Sequence, residues 1–109
     1  MKYLLTFLLL FFFNTGYSGD SAPVAKNDPP WLVEARASIK SGNYEKAIQQ
    51  LQNSNQKNSA DWNNLLGYSL RMQKIQDLAE SENHYQAALN IDPKHKGALE
   101  YYGMLKLIK

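Results

Sequence analysis

The chain of 109 residues has no cysteine, only two histidines and almost no charge imbalance. Without cysteine, an exported chain of this size must hold together by packing alone, and a bacterial lipoprotein, which needs an acylated cysteine, is excluded. Lys and Arg number 12 against 10 acidic residues, and loss of Lys2 with an N-terminal leader would leave 11 against 10. Such a near-neutral chain gives no reason to expect nucleic acid or anionic lipid as a partner. Neither an H-E-x-x-H helix nor a phosphate-cradling glycine loop occurs. No segment alternates as a half-buried strand would, so the expected class is all-α. The one long apolar run, Leu4 to Phe13, falls short of the about 20 residues that cross a bilayer.

That run sits in MKYLLTFLLLFFFNTGYSGDSAP, where Lys2 is a short basic start and NTGYSG supplies small residues. The arrangement reads as a secretory signal peptide over residues 1–18, with Gly16 and Ser18 before the cut and Gly19 first in the mature chain. The alternative is an uncleaved membrane anchor. Residues 19–30, GDSAPVAKNDPP, hold three prolines and no period, as a flexible linker does, and residues 31–109 make up the folded domain. Pro29 and Pro30 suit the first turn of a helix, with Asp28 placed to cap its free amides. The expected address is exported and periplasmic, with a secreted or membrane-anchored form as the alternative.

Five helical stretches follow. WLVEARASIKSG carries Leu32, Ala35 and Ile39 at spacings of three and four and stops at Gly42. NYEKAIQQLQNS puts Tyr44, Ala47, Ile48 and Leu51 on one stripe, with Asn43 as cap. A third helix from Asp61 to Met72 turns Trp62, Leu65, Leu66 and Leu70 inward. The fourth, from Leu78 to Ile91, ends at Asp92-Pro93, because proline disfavours helix in the residue before it. GALEYYGMLKLIK is the fifth.

The chain also repeats itself. Shifting the second helix by 34 residues lays Tyr44 on Leu78, Ala47 on Ser81, Leu51 on Tyr85 and Ser54 on Ala88, large on large and small on small. The first, third and fifth helices align on Ala35, Gly67 and Gly103, which lie 32 and then 36 residues apart. A mid-helix glycine sacrifices helix propensity, so these positions make sense where a neighbouring helix comes close and a bulky group enters the gap. Ala47 and Ala88 suit the same part on the partner helices. Such a pattern describes antiparallel helix pairs stacked on one another, each unable to bury its face alone.

These residues resemble the tetratricopeptide repeat family. The likeness is best over Asn63 to Pro93, where LLGYSL supplies a Leu-Gly pair, Ser81 and Tyr85 stand at a small and an aromatic position, and Ala88 and Pro93 complete the pattern. GNYEKAIQQL gives the turn and second helix of an earlier repeat, and ALEYYGMLKL the first helix of a third. The resemblance covers nearly everything after Pro30 and implies a solenoid of about two and a half repeats. Three departures stand out: two extra residues in the turn of the second repeat, within MQKIQD; Glu34 where the family favours leucine; and a third repeat of one helix only, which would serve as the terminal lid.

Chemistry-bearing residues are few. Glu80 and His84 lie one helical turn apart, but two ligands do not close a metal site, and His95 in Lys94-His95-Lys96 reads as surface. No catalytic set, metal or cofactor is expected. Binding fits better. In the family, the first helix of each pair lines a concave groove, so the resemblance implies a partner-binding face of Leu32, Arg36 and Ile39, then Asn64, Tyr68, Arg71 and Met72, then Glu100, Met104 and Leu107. Asn64, Tyr68 and Arg71 share one side of their helix, with Arg71 exposed and poised for a carboxylate. One version of the family grips a C-terminal carboxylate with lysines and asparagines spread over successive helices; Leu32, Arg36, Asn64 and Tyr68 do not reproduce that set. Trp31 and Trp62 read as packing groups.

Tyr101, Leu105 and Ile108 are expected on the uncovered outer side of the last helix, which predicts self-association or docking through that edge. The sequence thus points to an exported, non-catalytic adaptor that binds a protein or peptide, with a membrane-tethered oligomeric structural subunit as the alternative. A small metal-dependent enzyme would rest on Glu80 and His84 alone.

Overall fold

The structure, a computed structural model, describes residues 27–108; the expected signal peptide and most of the linker lie outside them. The described residues form five helices: α1 (Pro30–Lys40), α2 (Tyr44–Ser54), α3 (Ala60–Met72), α4 (Leu78–Ile91) and α5 (Lys96–Ile108). No strand occurs among them.

Local chemistry sets most of the boundaries. Pro30 opens α1 behind Pro29, where a missing N–H costs nothing. The N-cap residue is Pro29, which has no side chain to cap with, and the Asp28 carboxylate meets Arg36 Nη1 at 3.3 Å. Gly42 closes the helix at φ +80°, a left-handed conformation in which its N–H donates to the Ile39 carbonyl at 2.9 Å. Asn43, Ser59 and Asp77 then cap α2, α3 and α4 by accepting from Lys46, Trp62 and Glu80 N–H groups. Ser59 starts α3 at Ala60, one residue ahead of the expected Asp61. Helix α4 stops at Ile91, immediately before Asp92-Pro93.

Helix α3 is the hub, since it touches all four others, with α1 and α5 among them, while α2 and α4 do not meet. Ala35, Leu51, Trp62 and Leu66 form the core cluster, and Trp31, Ile48, Leu65 and Leu70 pack around it. Complete enclosure of a side chain such as Leu51 contributes about 1.5–3 kcal/mol. Trp62 is held by polar contacts as well, its Nε1–H donating to the Leu51 carbonyl at 2.6 Å and to Ser54 Oγ at 3.1 Å.

Helices α3 and α4 come together at Gly67. A Cβ there would stand 3.0 Å from Tyr85 Cε1 and 3.1 Å from the Ser81 carbonyl, so any side chain would force Tyr85 or the α4 backbone to give by a few tenths of an ångström. Ser81 Oγ donates to the Gly67 carbonyl at 2.6 Å, and Ser81, Tyr85 and Ala88 are fully buried along this side of α4. Ala35 and Ala47 are equally enclosed in the α1–α2 pair. Gly103 departs from the expectation. It is exposed, with nothing within 4 Å of an added Cβ, because no described helix covers that side of α5.

The faces of α5 also differ from expectation. Leu105 is fully buried and Tyr101 half-buried, while Ile108 is exposed together with Leu99, Met104 and Leu107. Ala98, Tyr101, Tyr102 and Leu105 follow the three-and-four spacing of a single helix face. That stripe turns toward α3 and α4.

Candidate functional site

Asn64, Tyr68 and Arg71 recur at spacings of four and three, which places them on one face of α3. Tyr68 is the centre of a row of half-buried phenols drawn from three helices. Its ring meets Tyr44 of α2 edge-on with centroids 6.0 Å apart, and Tyr101 of α5 at 4.5 Å. Burial, with the neighbouring phenols Tyr44 and Tyr101 adding to it, pushes the Tyr68 hydroxyl up to about 12 against the opposing pull of Arg71. Tyr68 therefore remains a neutral hydrogen-bonding group at any physiological pH.

Arg71 is where the structure corrects the sequence most. Expected in solvent, it is only 9% exposed, and its Nε has no hydrogen-bond partner. The enclosure comes from beyond its own helix. Tyr85 of α4 is fully buried with its hydroxyl beside Arg71 and Ser81; burial raises its pKa, and the hydrogen bonding and charge of Arg71, with Ser81 adding to them, oppose the rise. Tyr101 of α5 covers Tyr68, over whose ring the guanidinium lies at 5.5 Å. No carboxylate approaches Arg71 within 4.0 Å among the described residues. A cation–π contact returns about 0.5–2 kcal/mol, whereas an enclosed ion loses several kcal/mol of hydration. Among the described residues the Arg71 charge has no counter-ion.

Asn64 is buried too, with Oδ1 unpartnered. Its Nδ2 would stand 2.7 Å from a Cβ on Gly97, so a glycine at the second position of α5 lets the two helices close up. Elsewhere on the expected face the residues separate. Leu32 is buried and so unavailable to a ligand, and Arg36 is engaged by Asp28. Ile39 is half-buried, while Met72, Glu100, Met104 and Leu107 are exposed. Tyr44, Tyr85, Gly97 and Tyr101 complete the α3 site although the sequence did not mark them for it. For Tyr101 the signal was present, in its spacing from Ala98 and Leu105.

The two histidines serve packing in opposite tautomers. Asn63 Nδ2 donates to the Lys57 and Ser59 carbonyls, both at 3.0 Å, so its Oδ1 faces His84 and accepts from Nδ1–H at 3.0 Å. Burial lowers the His84 pKa, with Glu80, 3.7 Å from Nε2, opposing. His95 is half-buried, not a surface residue. Its Nδ1 accepts from the Ala98 N–H at 3.1 Å, which leaves Nε2–H to donate to Asp61 Oδ1 at 2.7 Å. This ring both caps α5 and ties it to the first turn of α3. The described residues contain no group of three or more potential metal ligands, and Glu80 with His84 stays a pair.

Comparison with models of protein families, with curated proteins and with solved structures finds no match for this chain. Among the described residues no helix is long and apolar enough to cross a membrane.

Proposed function

We propose that this protein is an exported, non-catalytic adaptor of tetratricopeptide type, which holds a protein or peptide partner against the face of α3 that Tyr44 of α2 and Tyr101 of α5 extend. The observation that carries the reading is the row of half-buried phenols Tyr44–Tyr68–Tyr101. Half-buried tyrosines combine a flat apolar surface with a hydroxyl at little entropic cost, which suits recognition of a peptide. The repeat reading draws support from the close approach at Gly67 and from the loops. The turn before α4 spans residues 73–77, two residues longer than the turn at 41–43 before α2, and α4 is three residues longer than α2 while the loop after it is one shorter, which together give the four-residue difference between the Ala35–Gly67 and Gly67–Gly103 intervals.

A photoreactive amino acid at position 68, in cells that make the full chain, tests this. A discrete crosslinked partner is expected; the adaptor reading falls if position 68 captures nothing while the protein is folded and abundant. The second reading, a tethered oligomeric structural subunit, is favoured by the exposed Leu99, Met104, Leu107 and Ile108 of α5. Intact mass of the cellular protein separates the two, because removal of residues 1–18 would remove the tether.

A further inference from the structure

We propose that His95 is a proton-operated latch: its neutral ring fixes the first turn of α5 against α3, and the ring that gains a proton lets that turn go, so that the hold of α5 on the α3 phenol row depends on pH.

The cap of α5 differs in kind from those of the three helices before it. Asn43, Ser59 and Asp77 start α2, α3 and α4 with oxygen atoms, which offer the helix amide a lone pair at any pH near neutrality. Helix α5 starts instead on a nitrogen, His95 Nδ1, which accepts from the Ala98 N–H at 3.1 Å. A neutral imidazole has one such lone pair, and here it is in use. Nε2 carries the single ring hydrogen and donates it to Asp61 Oδ1 at 2.7 Å. A second proton therefore has one place to go, the edge of the ring that faces Ala98, where it would set two N–H donors against each other. Cap and charge exclude each other at this residue.

The charges around the ring decide what gives way. Lys94 and Lys96 flank it, and a cation at the N-terminus of α5 opposes the helix dipole. Asp92, on the preceding turn, has its Oδ1 engaged by the Lys94 N–H at 3.1 Å. Asp61 of α3 pulls the other way, and among the described residues it is the one carboxylate within 4.0 Å of the ring. Its side chain is 47% exposed, and a pair so open to water gains little from a full charge. The bond to Asp61 survives the added proton; the bond to Ala98 does not. His84 supplies the contrast within the same molecule. Its Nδ1–H donates to Asn63 and its Nε2 lone pair turns toward Glu80, so a proton taken up there meets a carboxylate and displaces no donor.

The freed turn is the one that seats α5. Gly97 lies so close to Asn64 that an added Cβ would stand 2.7 Å from its Nδ2, and one turn further on Tyr101 covers Tyr68 at 4.5 Å. Asp61 with His95, Asn64 with Gly97 and Tyr68 with Tyr101 are successive contacts along two helices that run the same way. Release of the first loosens the others in order.

The test is NMR of the isotopically labelled full chain between about pH 8 and 5, the range in which histidines change charge. Ring nitrogen signals report the tautomer and the titration of His95, and amide hydrogen exchange, corrected for its intrinsic pH dependence, reports the cap. As the His95 ring gains its proton, protection at Ala98 and Leu99 should fall by roughly tenfold, the Tyr101 ring signals should move over the same interval, and protection at Lys46, Trp62 and Glu80 should hold. His95→Asn, which offers an oxygen acceptor that does not titrate, should keep Ala98 protected throughout; Asp61→Asn, which removes the charge that favours the proton, should move the release to lower pH. The latch is overturned if the neutral ring carries its hydrogen on Nδ1, if Ala98 stays protected while the ring titrates, if the ring stays neutral until the chain unfolds, or if His95→Asn loses protection as the parent does. The parent titration alone decides if a variant does not fold. None of these measurements involves a partner, so the latch and the adaptor reading fail separately.

Discussion

At Gly67 and Gly103 the same substitution should act in opposite directions. Alanine in place of a helical glycine gains about 1 kcal/mol of helix propensity. At position 67 the new methyl would press on the Ser81 backbone and the Tyr85 ring, and such overpacking costs about 1–3 kcal/mol. Gly67→Ala is therefore expected to lose stability and Gly103→Ala, with open space around it, to gain about 0.5–1 kcal/mol. Chemical denaturation of the two variants checks the signs. Titration offers a second residue-scale test. Because burial lowers the His84 pKa, the unfolded chain binds its proton more readily, so this residue's stabilising contribution is present above about 6.5, the usual histidine value, and fades as the pH falls below it. At the alkaline end the sign reverses: Tyr68 keeps its proton up to about 12, and its contribution fades from the ordinary phenol value of about 10 upward. Thermal melts across pH should show both flanks, with His84→Gln flattening only the acid side.

Helix ends were largely legible in the sequence because each carries its own local chemistry. Gly42, Asn43 and the Asp92-Pro93 stop all mark boundaries, and Gly67 announced a close approach by another helix. The direction each face points was less legible. Helix α5 has apolar groups on several sides, Ala98 with Leu105 on one and Met104 with Leu107 on others, and periodicity alone does not say which stripe the rest of the protein covers. The phenol row and the enclosure of Arg71 were hidden for the same reason, since their members come from α2, α3, α4 and α5. One link between elements does yield a prediction. His95 caps α5 and holds Asp61, so His95→Ala should remove a cap worth about 0.5–2 kcal/mol and uncouple the start of α5 from α3. Amide hydrogen exchange should quicken at Ala98 and Leu99, with little change in α1 and α2; uniform acceleration across all five helices would show that the contact is not local.

For the whole molecule, the uneven covering of α5 matters most. Tyr85 and Ser81 seat on Gly67, but Gly103 of α5, 36 residues further on, meets no neighbour among the described residues. Leu99, four residues before it, is 51% exposed, and Leu107, four residues after it, is 85% exposed. Met104 and Ile108 extend the apolar surface around the helix. Exposed apolar groups gathered on one helix mark a surface that associates. Self-association through α5 is the expected outcome. Sedimentation velocity of the full chain should show a species above monomer that grows with concentration. Leu107→Lys should shift the distribution toward monomer with little effect on melting, since that side chain is almost wholly in solvent. Gly103→Leu separates two geometries: it should block assembly if a helix seats on Gly103 as α4 seats on Gly67, and strengthen it if the contact is made by the flanking apolar groups alone. A parent protein that stays monomeric at high concentration would remove self-association from the picture and leave α5 as part of the face offered to a different partner.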